Sequence, residues 1–443
     1  MTSLTLPTTF AASLTGQLHL PGEPGFARAA TPWNLAVSQP VAAVVEAADA
    51  ADVATTVRQA RAAGLSVTAQ STGHGATGDV VGTVLLRTGR LDSVEVDPVA
   101  RTARVGAGAT WAAVRAQAAP HGLTGLLGSA PGVGVTGYTL GGGLGWFSRA
   151  HGLAADHVRS LDVVDTDGAA RRVTADSDPE LFWALRGGGG DLAVVTSLEL
   201  DLVPVPALTG GRIVWPADGP TTAAVLDAYR TATAAAPRET SLWLTRVEAP
   251  GAPPVVVVHV AHLGDPPSAA KALRPFGTVG GALAHAVGPV ALADVGAITD
   301  DPTEPAAGRS RAELLTGIDD DAVTALFTEP VAPLLLLQLR HLGGALATPG
   351  PDAGALGALT EPYLLYAFGL AFSPELSDAV GHRLAALPGE LRTVTSGRKP
   401  TSFLAPGERA AAAFAPDSMA RLQDLKRARD PHGVVRGAYP LLA

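Results

Sequence analysis

GSAPGVGVTGYTLGGGLGWFSRAHGL, residues 128–153, sets the architecture of this chain. Between Leu126 and Gly145 eight positions are glycine, and Gly141, Gly142 and Gly143 are consecutive. Each glycine weakens a helix or strand by roughly 0.5–1 kcal/mol relative to alanine, so the stretch is too glycine-rich for a packed helix or an ordinary central strand. Such clustering implies positive φ values, or a backbone that lies close against something else. Two further clusters flank it, STGHGATG at 71–78 and RGGGGD at 186–191. The first follows a second strand rather than a first and lacks GxGxxG spacing, which speaks against a nicotinamide-type dinucleotide fold.

On the N-terminal side, VAAVVEAA (41–48) reads as a strand, Asp49–Gly64 as a helix opened by an acidic residue, and LSVTAQ (65–70) as the next strand. Short β segments follow at 84–88, 93–98 and 102–110, then a helix at Trp111–Ala119. On the C-terminal side, SLDVVDTDGAARRVTA (160–175) reads as a hairpin turning at Asp167–Gly168. Asp178–Leu185 is a short helix, and LAVVTSLELDLVPV (192–205) a strand pair or bent strand. Residues 1–35 carry no sustained period and read as a short leading helix and a loop.

The pattern changes near Pro204–Pro206. Strands are expected at 211–215, 241–247, 254–263, 333–343 and 363–372. Helices are expected at Thr221–Thr233, Ala269–Leu273, Ser310–Leu315, Ala322–Thr328 and Pro374–Leu387. A last helix runs from Ser418 to Ala428 and stops before Pro431. This alternation implies an α+β unit, one antiparallel sheet with helices on one face. The expected division is a lead segment 1–35, a first domain 36–206, a second domain 207–397, and a segment 398–443 returning to the first.

A chain of 443 residues is long enough for two or three domains and a large core. It contains no cysteine, which excludes disulfides, thiolate metal sites and cysteine nucleophiles. With 32 basic and 41 acidic residues it lacks the basic footprint of nucleic-acid binding. Its longest apolar runs, VAPLLLLQL and PPVVVVHVAHL, are too short to span a bilayer. The first twenty residues lack the basic start and continuous apolar run of a signal peptide, so a cytoplasmic location is expected. No metal site is expected: the pairs His259/His262 and His341/His382 have no acidic companion at ligand spacing, and HExxH is absent. His121, His151 and His157 flank helices or turns and read as caps or surface groups, whereas Trp146 and Trp183 read as core anchors.

Five elements appear in order: VTAQSTGHGATG (67–78), SVEVDPVARTARVGAGATW (93–111), the 128–153 stretch, DPELFWALRGGGGDLAVVTSLEL (178–200) and RLQDLKRARDP (421–431). In these the chain resembles FAD-linked oxidoreductases of the vanillyl-alcohol oxidase superfamily. Within it, the chain is similar to berberine bridge enzyme-like proteins and bacterial sugar or oligosaccharide oxidases. The resemblance implies an α+β fold: a two-lobed PCMH-type FAD-binding domain holding the cofactor between its lobes, and an α+β substrate domain whose antiparallel sheet covers the isoalloxazine. It implies a covalent link from His74 to the flavin 8α-methyl group. A family subset adds a cysteinyl link in a C-P-x-V-G motif; here that motif reads Ala130-Pro131-Gly132-Val133-Gly134, so the flavin is expected to be monocovalent. Further cofactor contacts are implied for Ser71, Thr72, Gly73, Gly75, Gly78, Ser129, Gly132, Gly134, Gly137, Thr139, Gly142, Gly145 and Val195. A compact Gly/Ser/Thr loop also suits a pyrophosphate on physical grounds, because clustered backbone N–H groups bind anions without lysine.

The implied activity is removal of hydride from a C–H bond next to oxygen or nitrogen, with O2 reduced to H2O2. A dehydrogenase using another acceptor is the alternative, as is a degenerate flavoprotein acting in non-redox cyclisation or binding. Implied partners are O2 and a small molecule (natural product, alcohol or sugar-like), with a homodimer as a possible assembly. The proton acceptor is expected in the substrate sheet, with Tyr366 and Tyr363, Gln338 and Arg340, His259 and Glu248 as candidates. Tyr138 is a candidate on the cofactor side, as a packed ring or a substrate contact. Period-2 alternation puts Gln338 and Arg340 on one face of their strand and Leu337 and Leu339 on the other. Two departures weaken the sugar-oxidase likeness. A Y-x-N-F motif reads Pro400-Thr401-Ser402-Phe403, and D-P-x-N-x-F reads Asp430-Pro431-His432-Gly433-Val434-Val435. With only five tyrosines, the chain also offers few platforms for stacking sugars.

Overall fold

The structure, a computed structural model, describes residues 9–442. The first lobe consists of α1 (Thr9–Ala12), β1 (Gln17–His19), α2 (Phe26–Ala30), β2 (Ala43–Glu46), α3 (Ala50–Ala62), β3 (Ser66–Gln70) and β4 (Thr83–Arg87). Its sheet has the order β1-β2-β4-β3, with β2 and β3 both parallel to β4 and β1 antiparallel to β2. The Asp49 carboxylate caps α3 by accepting the Asp52 N–H at 2.9 Å. Val53, Val57 and Ala60 of α3 pack in one cluster with Val67 and Val84 of the first lobe and Val164 and Val194 of the next. One helix face therefore joins two sheets. β1, a three-residue strand, lies in the segment the sequence shows as helix and loop; it carries too few residues to display a period.

The second lobe comprises β5 (Val94–Asp97), β6 (Thr102–Gly106), α4 (Trp111–Ala118), β7 (Leu123–Thr124), α5 (Val135–Leu140), α6 (Ser148–His151), β8 (Val158–Val164), β9 (Ala170–Val173), α7 (Pro179–Leu185), β10 (Val194–Asp201) and β11 (Val203–Pro204). Five of its strands form an antiparallel sheet ordered β5-β6-β10-β8-β9. The glycine-rich stretch corrects its sequence reading in one respect. VTGYTL forms the short helix α5 between Gly134 and Gly141, because only Gly137 interrupts those six residues and the other glycines sit outside them.

The third unit contains β12 (Leu208–Pro216), α8 (Gly219–Ala235), β13 (Thr240–Val247), β14 (Val255–Leu263), α9 (Pro266–Ala272), β15 (Ala284–Pro289), β16 (Gly308–Leu315), α10 (Asp321–Thr328), β17 (Leu336–His341), β18 (Tyr363–Leu370) and α11 (Pro374–Glu390). Its sheet is antiparallel throughout, in the order β15-β12-β14-β13-β17-β18-β16. Leu242, Leu244, Val258, Leu337, Leu339 and Leu365 point to α8, α10 and α11. Trp243, Ala261, Ala312, Leu314 and Leu364 point the other way and join the core of the second lobe. The expected helix at Ser310–Leu315 is instead β16, paired with β18 from Gly308↔Leu370 to Leu315↔Tyr363. Its RSRAELL sequence has helical propensity, which sheet pairing and burial override.

After α11, the helix α12 (Pro416–Arg429) brings the chain back to the first two lobes. Val67 of β3 donates its N–H to the Val434 carbonyl at 2.7 Å and accepts from Arg436 N–H at 2.8 Å. Asp191, given no chemistry from sequence, accepts the backbone N–H groups of Gly437 and Leu441 at 2.7 and 3.0 Å. Asp430 accepts those of Val434 and Val435 at 2.8 and 3.0 Å, and Lys426 bonds Asp430 at 2.7 Å. Among the described residues no helix is long and apolar enough to cross a membrane, and no group of His, Asp and Glu is arranged to hold a metal ion.

Candidate active site

The site lies where the loop after β3, the glycine-rich stretch around α5 and the inner face of the seven-stranded sheet meet. In the loop, Gly73 has φ +84°, and a Cβ there would sit 2.8 Å from Pro32. His74 follows it. The His74 ring stacks on Trp33, with centroids 4.2 Å apart and planes inclined by 16°, and its Nδ1 lies 2.8 Å from the Thr72 hydroxyl. Burial lowers the His74 pKa to about 4, so the imidazole is neutral at physiological pH. Trp33 escapes sequence reasoning because it lies in a lead segment with no periodicity. Only its size and the neighbouring Pro32 mark it.

Ser71 is wedged against the start of α5: a Cβ on Gly134 would lie 2.2 Å from the Ser71 hydroxyl oxygen. Gly75, Gly132 and Gly137 face open space, with nothing within 4 Å of where a Cβ would stand. Beside that opening, Thr136 and Thr139 bury hydroxyls that have no hydrogen-bond partner. A bare glycine surface next to orphaned buried donors fits a large planar ligand with polar edges, as FAD is. Not every implied glycine has an open Cβ side. Gly142 (φ +102°) packs against Leu356, a Cβ on Gly145 would meet the Leu127 carbonyl at 1.9 Å, and one on Gly78 would meet the Ser38 carbonyl at 3.0 Å. These three glycines serve chain packing. Val195 is a core side chain of β10, and Ser129 is half-buried just before the opening.

Tyr138 is held in place by its surroundings. Its hydroxyl donates to the Leu126 carbonyl at 3.0 Å, its ring meets Trp111 edge-on at 5.6 Å, and burial pushes its pKa up. A phenol whose proton is committed to a backbone carbonyl is a poor proton acceptor, and the geometry favours the packed ring over the substrate contact. Tyr363 is corrected as well. It lies on the helix side of β18, sharing a 2.7 Å hydrogen bond with Thr233 of α8. The strand alternation that brings Tyr366 to the inner face turns Tyr363 away from it.

Three polar candidates do come together on the inner face. Gln338 pairs directly with Tyr366 across β17 and β18, and Arg340 pairs with Trp243 across β17 and β13. Arg340 Nε donates to Gln338 Oε1 at 2.7 Å, and Gln338 Nε2 donates to Thr245 Oγ1 at 3.0 Å. His259 Nδ1 lies 3.4 Å beyond Thr245 Oγ1, and burial lowers the His259 pKa to about 4. The guanidinium lies over Trp243 at 4.0 Å, with Phe403 at 5.2 Å and Tyr366 at 5.6 Å. Burial lowers the Arg340 pKa. Burial also raises that of Tyr366, opposed by a hydrogen bond with Ser310 and by the charge of Arg340. Ser402, where relatives carry an amide, bonds the Gly141 carbonyl through its own N–H at 3.2 Å, which brings Phe403 beside Tyr366. Glu248 is turned aside, paired with Arg246 at 2.7 Å.

The two sides of the site are fixed to one another. Trp146 stacks on Trp243, and Ser241 donates its hydroxyl to the Trp146 carbonyl at 2.7 Å. Arg149 of α6 donates to the Thr240 carbonyl at 2.7 Å and to His341 Nε2 at 2.8 Å. A separate cavity of about 510 Å³, lined by Trp215, Leu273 and Phe276, opens on the helix side of β12 and away from these residues.

The fold is α+β and contains a region matched to FAD-binding domains. Residues 41–174 match the family described as FAD binding domain. Over this region the chain is similar to FAD-dependent oxidoreductases, and its fold is like that of berberine bridge enzyme-like proteins. It is 38% identical over 191 residues to an FAD-dependent monooxygenase of Fusarium proliferatum, covering 42% of this chain and 37% of that one. It is 32% identical over 206 residues to (R)-6-hydroxynicotine oxidase of Paenarthrobacter nicotinovorans, covering 46% and 45%. The matches thus span less than half the length of these curated relatives. A berberine bridge enzyme-like protein of Physcomitrella patens superposes with a TM-score of 0.89 at 19% identity, over 99% of both chains, a likeness of fold. Relatives occur in fungi, bacteria and plants, so the kinship is broader than the bacterial oxidases of the sequence reading.

Proposed function

We propose that this protein is an FAD-dependent oxidase that removes hydride from a C–H bond next to nitrogen or oxygen in a small molecule. The observation that carries the reading is the polar group Gln338, Arg340 and Tyr366 on the inner sheet face, together with a glycine-lined opening next to His74 in the chain. Among its relatives are proteins named as a hydroxynicotine oxidase and as xylo- and glucooligosaccharide oxidases, which supports oxidation next to either heteroatom. When bound, FAD would supply a two-electron acceptor that dioxygen can reoxidise.

In this reading residues 36–206 and 398–443 form the cofactor-binding unit and 207–397 the substrate unit. His74 holds the cofactor covalently through Nε2, since Nδ1 is engaged by Thr72. Ser71, Gly75, Gly132, Gly134 and Gly137 shape the surface on which it rests, and Thr136 and Thr139 offer their free hydroxyls to its polar edge. Tyr366 keeps its proton at neutral pH, because burial outweighs the opposing influences. It therefore accepts the substrate N–H or O–H proton only as it passes its own to the Ser310 hydroxyl, which in turn gives up its proton to solvent at this half-exposed position. Trp243 and Phe403 wall the pocket and exclude water from Arg340.

The test is the absorption spectrum of the purified protein, repeated on pellet and supernatant after acid precipitation. A yellow pellet and a protein mass raised by one FAD are expected. A yellow supernatant removes the link while keeping the cofactor. A colourless protein that fails to take up added FAD overturns the reading.

A further inference from the structure

We propose that Arg340 is a recognition site for a carboxylate, so that the molecules this protein acts on are small anions; the substrate assignment rests on the oxidase reading above. Arg340 is a half-buried cation without an acidic partner: among the described residues no carboxylate lies within ion-pair distance of it. Several neighbouring arginines of the substrate sheet and its interface are satisfied, whereas Arg186, outside the site, bonds only the Asp352 carbonyl. Arg246 bonds Glu248 at 2.7 Å, Arg311 bonds Glu313 at 2.7 Å, and Arg149 is spent on backbone carbonyls and His341. Asp301 is close enough for its charge to be felt at Arg340, but forms no hydrogen bond with it. Removing a guanidinium from water is costly unless hydrogen-bonded counter-charge is supplied, and the protein supplies none here.

The direction in which that counter-charge must approach is defined. Trp243 covers one face of the guanidinium at 4.0 Å, and the Phe403 and Tyr366 rings stand at 5.2 and 5.6 Å. Nε is committed to Gln338, which Thr245 holds in turn. Only the Nη edge remains, and its N–H groups lie in the guanidinium plane. A flat, two-oxygen acceptor entering in that plane satisfies them as a bidentate pair, which a carboxylate does and an alcohol or neutral sugar does not. Gln338 and Thr245 are positioning residues, because they fix the rotation of the fork.

Benzoate and its neutral isostere benzamide test this on the purified full-length protein, with binding read by ligand-observed NMR, which requires no flavin and no turnover. The expected result is at least ten-fold tighter binding of benzoate, a preference abolished in Arg340→Gln and reduced but retained in Arg340→Lys. Equal affinity for the two probes in the unaltered protein overturns the proposal, as does a benzoate preference that survives Arg340→Gln. Should Arg340→Gln fail to fold, as judged by its melting curve, Arg340→Lys decides alone: an unchanged preference overturns the proposal, and a three- to ten-fold reduction supports it. If Arg340 instead serves the charge of the cofactor, its replacement shifts the flavin reduction potential and leaves the benzoate-to-benzamide ratio untouched, which again overturns it. The flavin content of the same samples is scored separately, so a colourless protein that still prefers benzoate counts against the oxidase reading and not against the carboxylate site.

Discussion

Trp146 of the second lobe and Trp243 of the substrate sheet stack with centroids 3.6 Å apart and planes inclined by 15°. Trp243 carries Arg340 on its other face at 4.0 Å, so a single ring connects the packing between units to the orientation of the site. Both indoles are almost fully buried. Trp243→Ala is expected to destabilise the protein by about 3–5 kcal/mol through the cavity it leaves. Trp243→Phe should recover most of that. Urea denaturation measures both, and a loss below about 1 kcal/mol in the alanine variant would show that the stack does not hold the units together.

Much of this arrangement is legible in the sequence, for identifiable reasons. Gln338 and Arg340 stand out because they are polar residues at period-2 spacing in a run of leucines, and the sheet places both on the inner face. His74 stands out through its glycine neighbours. Other features leave no local trace. The Arg340–Trp243 contact joins residues nearly a hundred positions apart, and Trp33 reaches His74 from a segment without pattern. Tyr363 and Tyr366 look equivalent in YLLYAF, and only the register of β18 against β17 separates them. β16 is misread as helix because its partner strand, not its own propensity, decides its state.

Acid should weaken the fold before any carboxylate titrates. Burial holds His259 at about 4, while burial and the Arg149 charge hold His341 at about 3, both below the ordinary value of 6.5. As pH falls below 6.5 the unfolded chain takes up these protons and the folded one does not, so stability declines down to about pH 4 for His259 and about pH 3 for His341. The expected slope is about 1.4 kcal/mol per pH unit for each histidine. Urea midpoints at pH 7.5, 6 and 5 measure it. His259→Gln should lower the slope by the share of one histidine, with His341 and His74 still contributing, and an unchanged slope would mean that His259 is not buried as a neutral base.

Tyr366→Phe separates proton handling from the rest of the site. The ring and its contact with Phe403 remain, while the hydroxyl that meets Ser310 is lost. Anaerobic stopped-flow reduction should slow by roughly 10²-fold, in keeping with the loss of one general acid–base group. The resting flavin spectrum should not change. A reduction rate within two-fold of the unaltered protein would remove Tyr366 from the proton path.

The proposed tether makes the most specific prediction, because Thr72 engages one nitrogen of His74 and leaves the other without a partner among the described residues. The Thr72 hydroxyl engages Nδ1 at 2.8 Å, in either tautomer of the neutral imidazole. Nε2 makes no hydrogen bond with the described residues, and Trp33 holds the ring plane. His74→Ala should release all flavin to the acid supernatant while the protein still binds FAD. Thr72→Val should lower the linked fraction without abolishing it, since Nδ1 then loses its partner. Because burial keeps the His74 pKa near 4, the linked fraction formed on adding FAD to apoprotein should stay level from pH 8 to pH 5 and fall only as pH approaches 4. A midpoint near 6.5 would show that His74 is solvated, and a proteolytic flavin peptide substituted at Nδ1 would show that Thr72 does not direct the bond.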